Sequence, residues 1–180
     1  MQSSLLASWT TFSGRQTWSD RLKQALTTAD GNEQTSHENL QSLHLIAHSC
    51  GSFVSLGICQ ALKAHRNDVT VQSTYLDPVT VYGGVFWDYG VTRFGSCADF
   101  SDAYIDIADT GPGSNQLLPL THTFDVTPAR KRAGFARPPH VWPKVYYLRR
   151  AQHQTILDLR ADPSVSTSYP RNALEPLSGY

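Results

Sequence analysis

A serine between two small residues is the first feature of the sequence that suggests chemistry. Residues 47–51 read Ala-His-Ser-Cys-Gly, so Ser49 has a small residue two positions away on each side. A nucleophilic serine on a sharp strand-to-helix turn needs such flanks, because larger side chains would collide with the neighbouring strand or helix. The turn exposes the hydroxyl at the positive end of the helix and directs the Cys50 N–H to where an oxyanion forms. The pattern predicts nucleophilic catalysis by Ser49; the plainer interpretation is an ordinary strand-to-helix turn that contains a serine.

Two later residues supply the partners that such a serine requires, in the order acid and then histidine. Asp77 lies in Tyr-Leu-Asp-Pro at the end of a predicted strand, where open α/β sheets place their sites. His140 lies in Pro-Pro-His-Val-Trp-Pro, between a loop and a predicted helix. We expect Asp77 as the triad acid, with Asp125 as the alternative, and His140 as the base. The interpretation of Asp77 as a simple strand terminator stays open.

A strand-helix-strand unit must position these residues. Residues 42–48 form an apolar run that predicts a buried strand, and 51–65 are apolar almost all round, as in a helix packed on a sheet. Residues 69–76 are rich in β-branched and aromatic types and predict a second strand. The unit feeds a parallel sheet. Gly57 lowers the helix propensity of 51–65, which suggests close approach to a neighbour.

The remaining sequence predicts less regular elements. Residues 17–29 have a helical pattern, 128–140 read as a basic, Pro-rich loop, and 141–152 predict a helix with Pro143 in its first turn. Strand-like pieces are the segments 3–9, 103–107 and 120–127.

The stretch 46–52, Ile-Ala-His-Ser-Cys-Gly-Ser, resembles the nucleophile elbow of α/β-hydrolase lipases and esterases. Leu-Asp-Pro at 76–78 resembles the segment with the triad acid in the pancreatic-lipase-like branch. The resemblance implies an α/β fold, a partial α/β-hydrolase with a mostly parallel sheet flanked by helices. It would form one domain over 1–163, with an irregular insertion at 78–119 and an extended or disordered tail at 164–180. The family's first strands would be missing, as in an N-terminally truncated chain.

The activity that this resemblance implies is hydrolysis of a carboxylic ester by Ser49, Asp77 and His140 through an acyl-enzyme, without a cofactor or metal. The substrate would be a small-molecule or lipid ester, and an aromatic-rich region between residues 82 and 104 could line its pocket or form a subdomain core. The loop that supplies the second oxyanion donor in the family has no counterpart before Ser49, unless residues 10–12 replace it. The alternative function is therefore an inactive α/β-hydrolase fragment that acts as a binding or interaction domain.

Composition excludes several other classes. Lys plus Arg and Asp plus Glu number 15 each in 180 residues, so no global charge favours nucleic acid. No stretch is long enough to span a membrane, and no export signal is visible, which leaves a cytoplasmic chain or a secreted one whose signal is missing. Three cysteines make a disulfide framework unexpected. An acidic set could bind calcium but lacks a loop motif, namely Asp99, Asp102, Asp106 and Asp109.

Overall fold

A parallel sheet of six strands organises the chain, and its strands lie side by side in chain order. All five neighbouring pairs are parallel. The computed structural model describes residues 3–7, 40–152 and 171–177. The strands are β1 (Ser3–Ala7), β2 (Ser42–His48), β3 (Thr70–Leu76), β4 (Phe100–Ile105), β5 (His122–Asp125) and β6 (Leu174–Pro176).

Helices cover both faces of this sheet. The helices of the described residues are α1 (Gly51–His65), α2 (Tyr89–Arg93), α3 (Thr127–Arg132) and α4 (Trp142–Gln152). Helix α1 packs through Cys59 against the β2 face that carries Leu43 and Leu45. Helix α4 packs through Trp142 and other aromatic residues on the opposite face, which carries Leu76. The expected α/β class, a parallel sheet with helices on it, is confirmed.

Burial along the strands explains this layering. In β2 buried and half-buried residues alternate, whereas all but the first residue of β3 is buried. A strand in the middle of a parallel sheet is covered on both faces and therefore carries a continuous buried run. Because β2 to β5 run parallel, their carboxyl ends meet at one edge of the sheet, close to the loops that carry Ser49, Asp77 and His140.

Several boundaries match the sequence prediction and others correct it. Strand β2 and helix α1 have the predicted bounds, but the Cβ that Gly57 lacks would find nothing within 4 Å, so the expected close approach is wrong. The first part of the predicted loop 128–140 belongs to helix α3, because Pro128 is tolerated in its first turn and Gly134 follows its end at a φ of 60°. The predicted tail contributes β6, which pairs with β5. The predicted helix 17–29 and the possible donor segment 10–12 lie outside the described residues.

The cysteine prediction is also wrong. Cys59 of α1 and Cys97, in the loop before β4, form a disulfide across a sequence separation of 38 residues. Helical spacing excludes a bond between Cys50 and Cys59. It does not indicate that Cys97, which is distant in sequence, lies next to α1 in the folded protein. Cys50 is free and exposed.

Within the described ranges no helix combines the length and the apolar character that crossing a membrane requires.

Candidate active site

Ser49 occupies a tight turn between β2 and α1. Its φ of 57° lies in the left-handed region, which a residue with a side chain enters only under strain. Two main-chain hydrogen bonds join it to residues at the end of β3 and just beyond: the Ser49 N–H donates to Leu76 O at 3.1 Å, and the Val79 N–H donates to Ser49 O at 3.4 Å. The Ser52 N–H of α1 donates to the same Ser49 O at 3.1 Å. The first two of these hydrogen bonds hold the turn against the end of β3.

Asp77 follows β3 directly and is buried. It is also in the left-handed region, with a φ of 46°, and its N–H donates to Tyr104 O at 2.8 Å. That hydrogen bond extends the ladder between β3 and β4 by one residue before Pro78 ends the strand. The carboxyl group therefore projects from a rigid strand end on the same edge as Ser49.

His140 lies in a 3₁₀ turn, Pro139–Val141, that leads into α4. The next residue, Trp142, fixes this turn because its side chain is fully buried and its Nε1–H donates to Val126 O at 2.8 Å. Val126 follows the last residue of β5. The turn that carries the predicted base, His140, is thus hydrogen-bonded to the carboxyl end of β5.

These elements bring the imidazole of His140 onto two carboxylates. Its Nδ1 lies 3.0 Å from Asp77 Oδ2 and 2.9 Å from Asp109 Oδ2. The loop with Asp109 reaches this position because Thr80, shortly after β3, donates to Gly113 O from its N–H at 2.8 Å and its hydroxyl at 2.9 Å. An Nδ1–H that donates to a carboxylate leaves the Nε2 lone pair available as a base.

Burial and charge shift the pKa values of the three groups apart. Burial raises the pKa of Asp77 to about 6, although the neighbouring His140 acts in the opposite direction. The hydrogen bond to Asp77 raises the pKa of His140 above its ordinary value of 6.5, against the effect of partial burial. Partial burial of Asp109 is outweighed by hydrogen bonds from Ser114 and the Gly111 N–H, which lower the pKa of that carboxyl. Such opposed shifts in one cluster are typical of acid–base sites.

The Cys50 N–H is the predicted oxyanion donor. Cys50 precedes α1 as its N-cap, and no described residue accepts a hydrogen bond from its N–H, which leaves that donor available at the positive end of the helix. Over the same described ranges the Ser49 hydroxyl makes no hydrogen bond to His140 or to another group. The acid–histidine half of the predicted triad is therefore assembled, while the serine–histidine contact is open.

Asp109 is the site residue that the sequence analysis did not assign. The sequence places it only in an acidic set that could bind calcium, and in the structure the carboxylates of that set have different partners. Asp99 pairs with Lys63 at 2.7 Å, and Asp106 pairs with Arg130. The signal that could have found Asp109 is the one that found Asp77, namely a carboxylate just beyond a strand at this edge of the sheet.

The alternative acid, Asp125, does not contact the imidazole. Its Oδ1 accepts a hydrogen bond from the Thr127 N–H at 2.9 Å, at the start of α3. Its carboxylate thus satisfies an otherwise free N–H at the beginning of a helix, which is a structural role.

The grouping of Asp77, Asp109 and His140 also has the composition of a metal site, since one ligand atom from each lies within 4.8 Å of the others. The same atoms make direct contacts of hydrogen-bond length, since Asp77 Oδ2 and Asp109 Oδ2 lie 3.0 and 2.9 Å from His140 Nδ1.

Comparisons with family models, with curated proteins and with solved structures gave no match to this chain.

Proposed function

We propose that this protein is a serine hydrolase of carboxylic esters with an α/β-hydrolase-like sheet, in which Ser49, Asp77 and His140 form the catalytic triad. The observation that carries the proposal is the Nδ1 contact of His140 with Asp77, at the same sheet edge as a serine in the left-handed region. Three separate strand ends thus converge on the roles of nucleophile, acid and base.

In the proposed reaction His140 Nε2 accepts the Ser49 hydroxyl proton while the oxygen attacks the ester carbonyl carbon. The negative charge that develops on the carbonyl oxygen is stabilised by the Cys50 N–H and the positive end of α1. The ester C–O bond then breaks, and the proton on His140 passes to the departing alcohol. Water, deprotonated by His140, hydrolyses the acyl-enzyme and regenerates Ser49. Catalytic hydrogen bonds are often long before substrate binds, so closure of the Ser49–His140 contact is expected in the complex.

The chemistry around the elbow favours an ester with an apolar acyl group. Phe53, one helical turn after Ser49, has its ring centroid 5.4 Å from that of Tyr82. Tyr82 opens a loop whose apolar side chains face solvent, with Val85, Phe86 and Trp87 exposed by 68%, 61% and 58%. Phe94 and Tyr104, by contrast, are buried in the core. The aromatic region therefore divides into core residues and an exposed loop beside the proposed site.

Turnover of p-nitrophenyl butyrate tests the proposal with matched variants. Ser49→Ala and His140→Asn should each lower kcat by about 10⁴-fold or more, as loss of a triad member does in serine hydrolases. The controls are the same substitutions at exposed positions, Ser96→Ala and His65→Asn, which should keep wild-type rates. Equal rates for the wild type and Ser49→Ala would remove Ser49 from the mechanism.

The alternative function, a binding domain without catalysis, is favoured by the open Ser49–His140 contact. A fluorophosphonate probe separates the two functions, because it labels a serine only where an assembled base activates it. The proposed hydrolase incorporates one probe per chain, and Ser49→Ala incorporates none. A folded wild-type chain that neither labels nor turns over ester supports the binding domain.

A further inference from the structure

We propose that a pair of carboxylates, Asp77 and Asp109, orients His140, so that Asp109 is a second positioning residue of the site and can replace Asp77. This inference rests on the proposed function for its catalytic consequence. The contacts that suggest it are independent of any reaction.

The two carboxylates lie at nearly the same distance from His140. Asp109 Oδ2 lies 2.9 Å from His140 Nδ1 and Asp77 Oδ2 lies 3.0 Å from the same atom. A single Nδ1–H can be shared between two acceptors in a three-centre hydrogen bond. Both oxygens therefore satisfy the requirement for the acid of a triad, which is to fix the imidazole orientation and the tautomer that keeps Nε2 free.

Asp109 is anchored at least as firmly as Asp77. Its N–H donates to Asp106 O at 2.9 Å, and its other carboxylate oxygen, Oδ1, accepts from the Gly111 N–H at 3.2 Å. The glycine also leaves room, since a Cβ at 111 would lie 3.3 Å from Asp109 Oδ2. These contacts turn Oδ2 toward the imidazole. Asp77 Oδ1, in contrast, is buried and has no hydrogen-bond partner among the described residues.

The two carboxyl groups differ in how readily they ionise. Two carboxylates beside one imidazole repel each other, and the more deeply buried one, Asp77, is the costlier to ionise. In agreement, burial raises the pKa of Asp77 to about 6, while the pKa of Asp109 is lowered. Among the described residues, His48 and Lys144 are further titratable groups close to the cluster. Asp109 therefore keeps its negative charge at a lower pH than Asp77, and Asp77 contributes a rigid acceptor at the end of β3.

The direct test is a double-mutant cycle with Asp77→Asn, Asp109→Asn and the double variant, assayed for kcat and KM on p-nitrophenyl butyrate. Each single variant should lose less than about 30-fold in kcat, because one carboxylate still accepts from Nδ1. The double variant should lose about 10⁴-fold, the scale of losing the triad acid. Asp99→Asn is the matched control, since Asp99 pairs with Lys63 instead.

Two outcomes of this cycle would overturn the inference. One is a loss of about 10⁴-fold in Asp77→Asn together with a wild-type rate in Asp109→Asn, which makes Asp77 the only acid. The other is an Asp109→Asn effect of the same size with and without Asp77, which indicates an independent effect on folding or the loop.

The pKa of His140, measured by NMR titration of its ring, gives a second readout that does not need activity. This pKa should stay above 6.5 in both single variants and fall below 6.5 in the double variant. A fall below 6.5 in Asp77→Asn alone would contradict the inference that both carboxylates act on His140. Asp109→Glu, which keeps the carboxylate, should preserve the elevated pKa if Asp109→Asn folds poorly. If the wild type neither hydrolyses ester nor labels, the proposed function fails, while this titration still decides whether the pair exists.

Discussion

His48 Nε2 lies 2.9 Å from the main-chain carbonyl oxygen of His140, so the residue before the nucleophile is bonded to the residue proposed as the base. A carbonyl oxygen only accepts, and therefore Nε2 of His48 carries the proton. Burial lowers the pKa of His48, which keeps the ring neutral near pH 7. The two rings are 4.9 Å apart between centroids. His48 thus joins the nucleophile turn to the His140 turn without taking part in proton transfer.

Removal of this connection should weaken catalysis without abolishing it. We expect His48→Ala to lower kcat on p-nitrophenyl butyrate by about 10- to 100-fold, because displacement of a catalytic group by about 1 Å costs rate on that scale. His48→Gln keeps an N–H donor and should recover part of the loss, whereas His65→Ala, at an exposed position, should have no effect. A His48→Ala rate equal to that of the wild type would show that the connection does not position His140.

Because the backbone of Ser49 is strained, we expect Ser49→Gly to stabilise the protein although it removes the proposed nucleophile. Ser49→Gly should raise the free energy of unfolding by about 1 kcal/mol, because glycine adopts a φ of 57° without the steric cost of a Cβ. Ser49→Ala also removes the hydroxyl but keeps the Cβ, and so it should show no such gain. Urea denaturation of the two variants measures the difference. A glycine variant no more stable than the alanine variant would mean that the turn is unstrained.

Because the carboxyl of Asp77 is buried, we expect Asp77→Asn to raise the free energy of unfolding by an amount that depends on pH. A carboxyl pKa raised from 3.8 to about 6 adds stability below pH 3.8, and this contribution is lost as the pH rises through about 6. Asp77→Asn should therefore match the wild type near pH 4 and exceed it by up to roughly 3 kcal/mol near pH 8, since each pKa unit corresponds to about 1.4 kcal/mol. Urea denaturation at the two pH values measures this, with the exposed Asp88→Asn as control. A gain of equal size at both pH values would exclude ionisation as its cause.

The Cys59–Cys97 disulfide should contribute substantially to the free energy of unfolding. For its separation of 38 residues, loop-closure entropy gives about 3 to 4 kcal/mol, which reduction by dithiothreitol should remove. Denaturation midpoints with and without reductant measure the loss, and Cys59→Ser should reproduce it under oxidising conditions. The free, exposed Cys50 offers the control, because Cys50→Ser should leave the midpoint unchanged. A thiol titration that finds three free cysteines in the native protein would exclude the bond.

The sequence predicted the strand-helix-strand unit well because local patterns determine it. The apolar run of β2, the switch at Gly51 to helical character and the β-branched run of β3 are all readable within short windows. Asp77 and His140 were predicted as site residues for a related reason, since a strand end and a loop-to-helix junction are local features. Helix α3 was missed although Pro128 and Gly134 mark its start and end, because the surrounding charges and prolines were interpreted as a loop.

Contacts between distant segments could not be predicted in the same way. Whether Asp109 or Asp125 meets His140 depends on the path of the loop after β4, which Thr80 and Gly113 fix through hydrogen bonds. The pairing of Cys59 with Cys97 similarly requires β3 and the α2 region to return the chain to α1. No spacing in one sequence encodes such a return, because it results from the packing of the whole sheet.

The order of the strands has a consequence for the newly made protein. Ser49, Asp77, Asp109 and His140 follow β2, β3, β4 and β5 respectively, so a ribosome releases the proposed nucleophile first and the proposed base last. A nascent chain that has completed β2 and α1 already contains the serine but lacks His140, the proposed base. The proposed activity should therefore appear only late in synthesis, once the segment after β5, which carries His140, has packed on the strands that precede it.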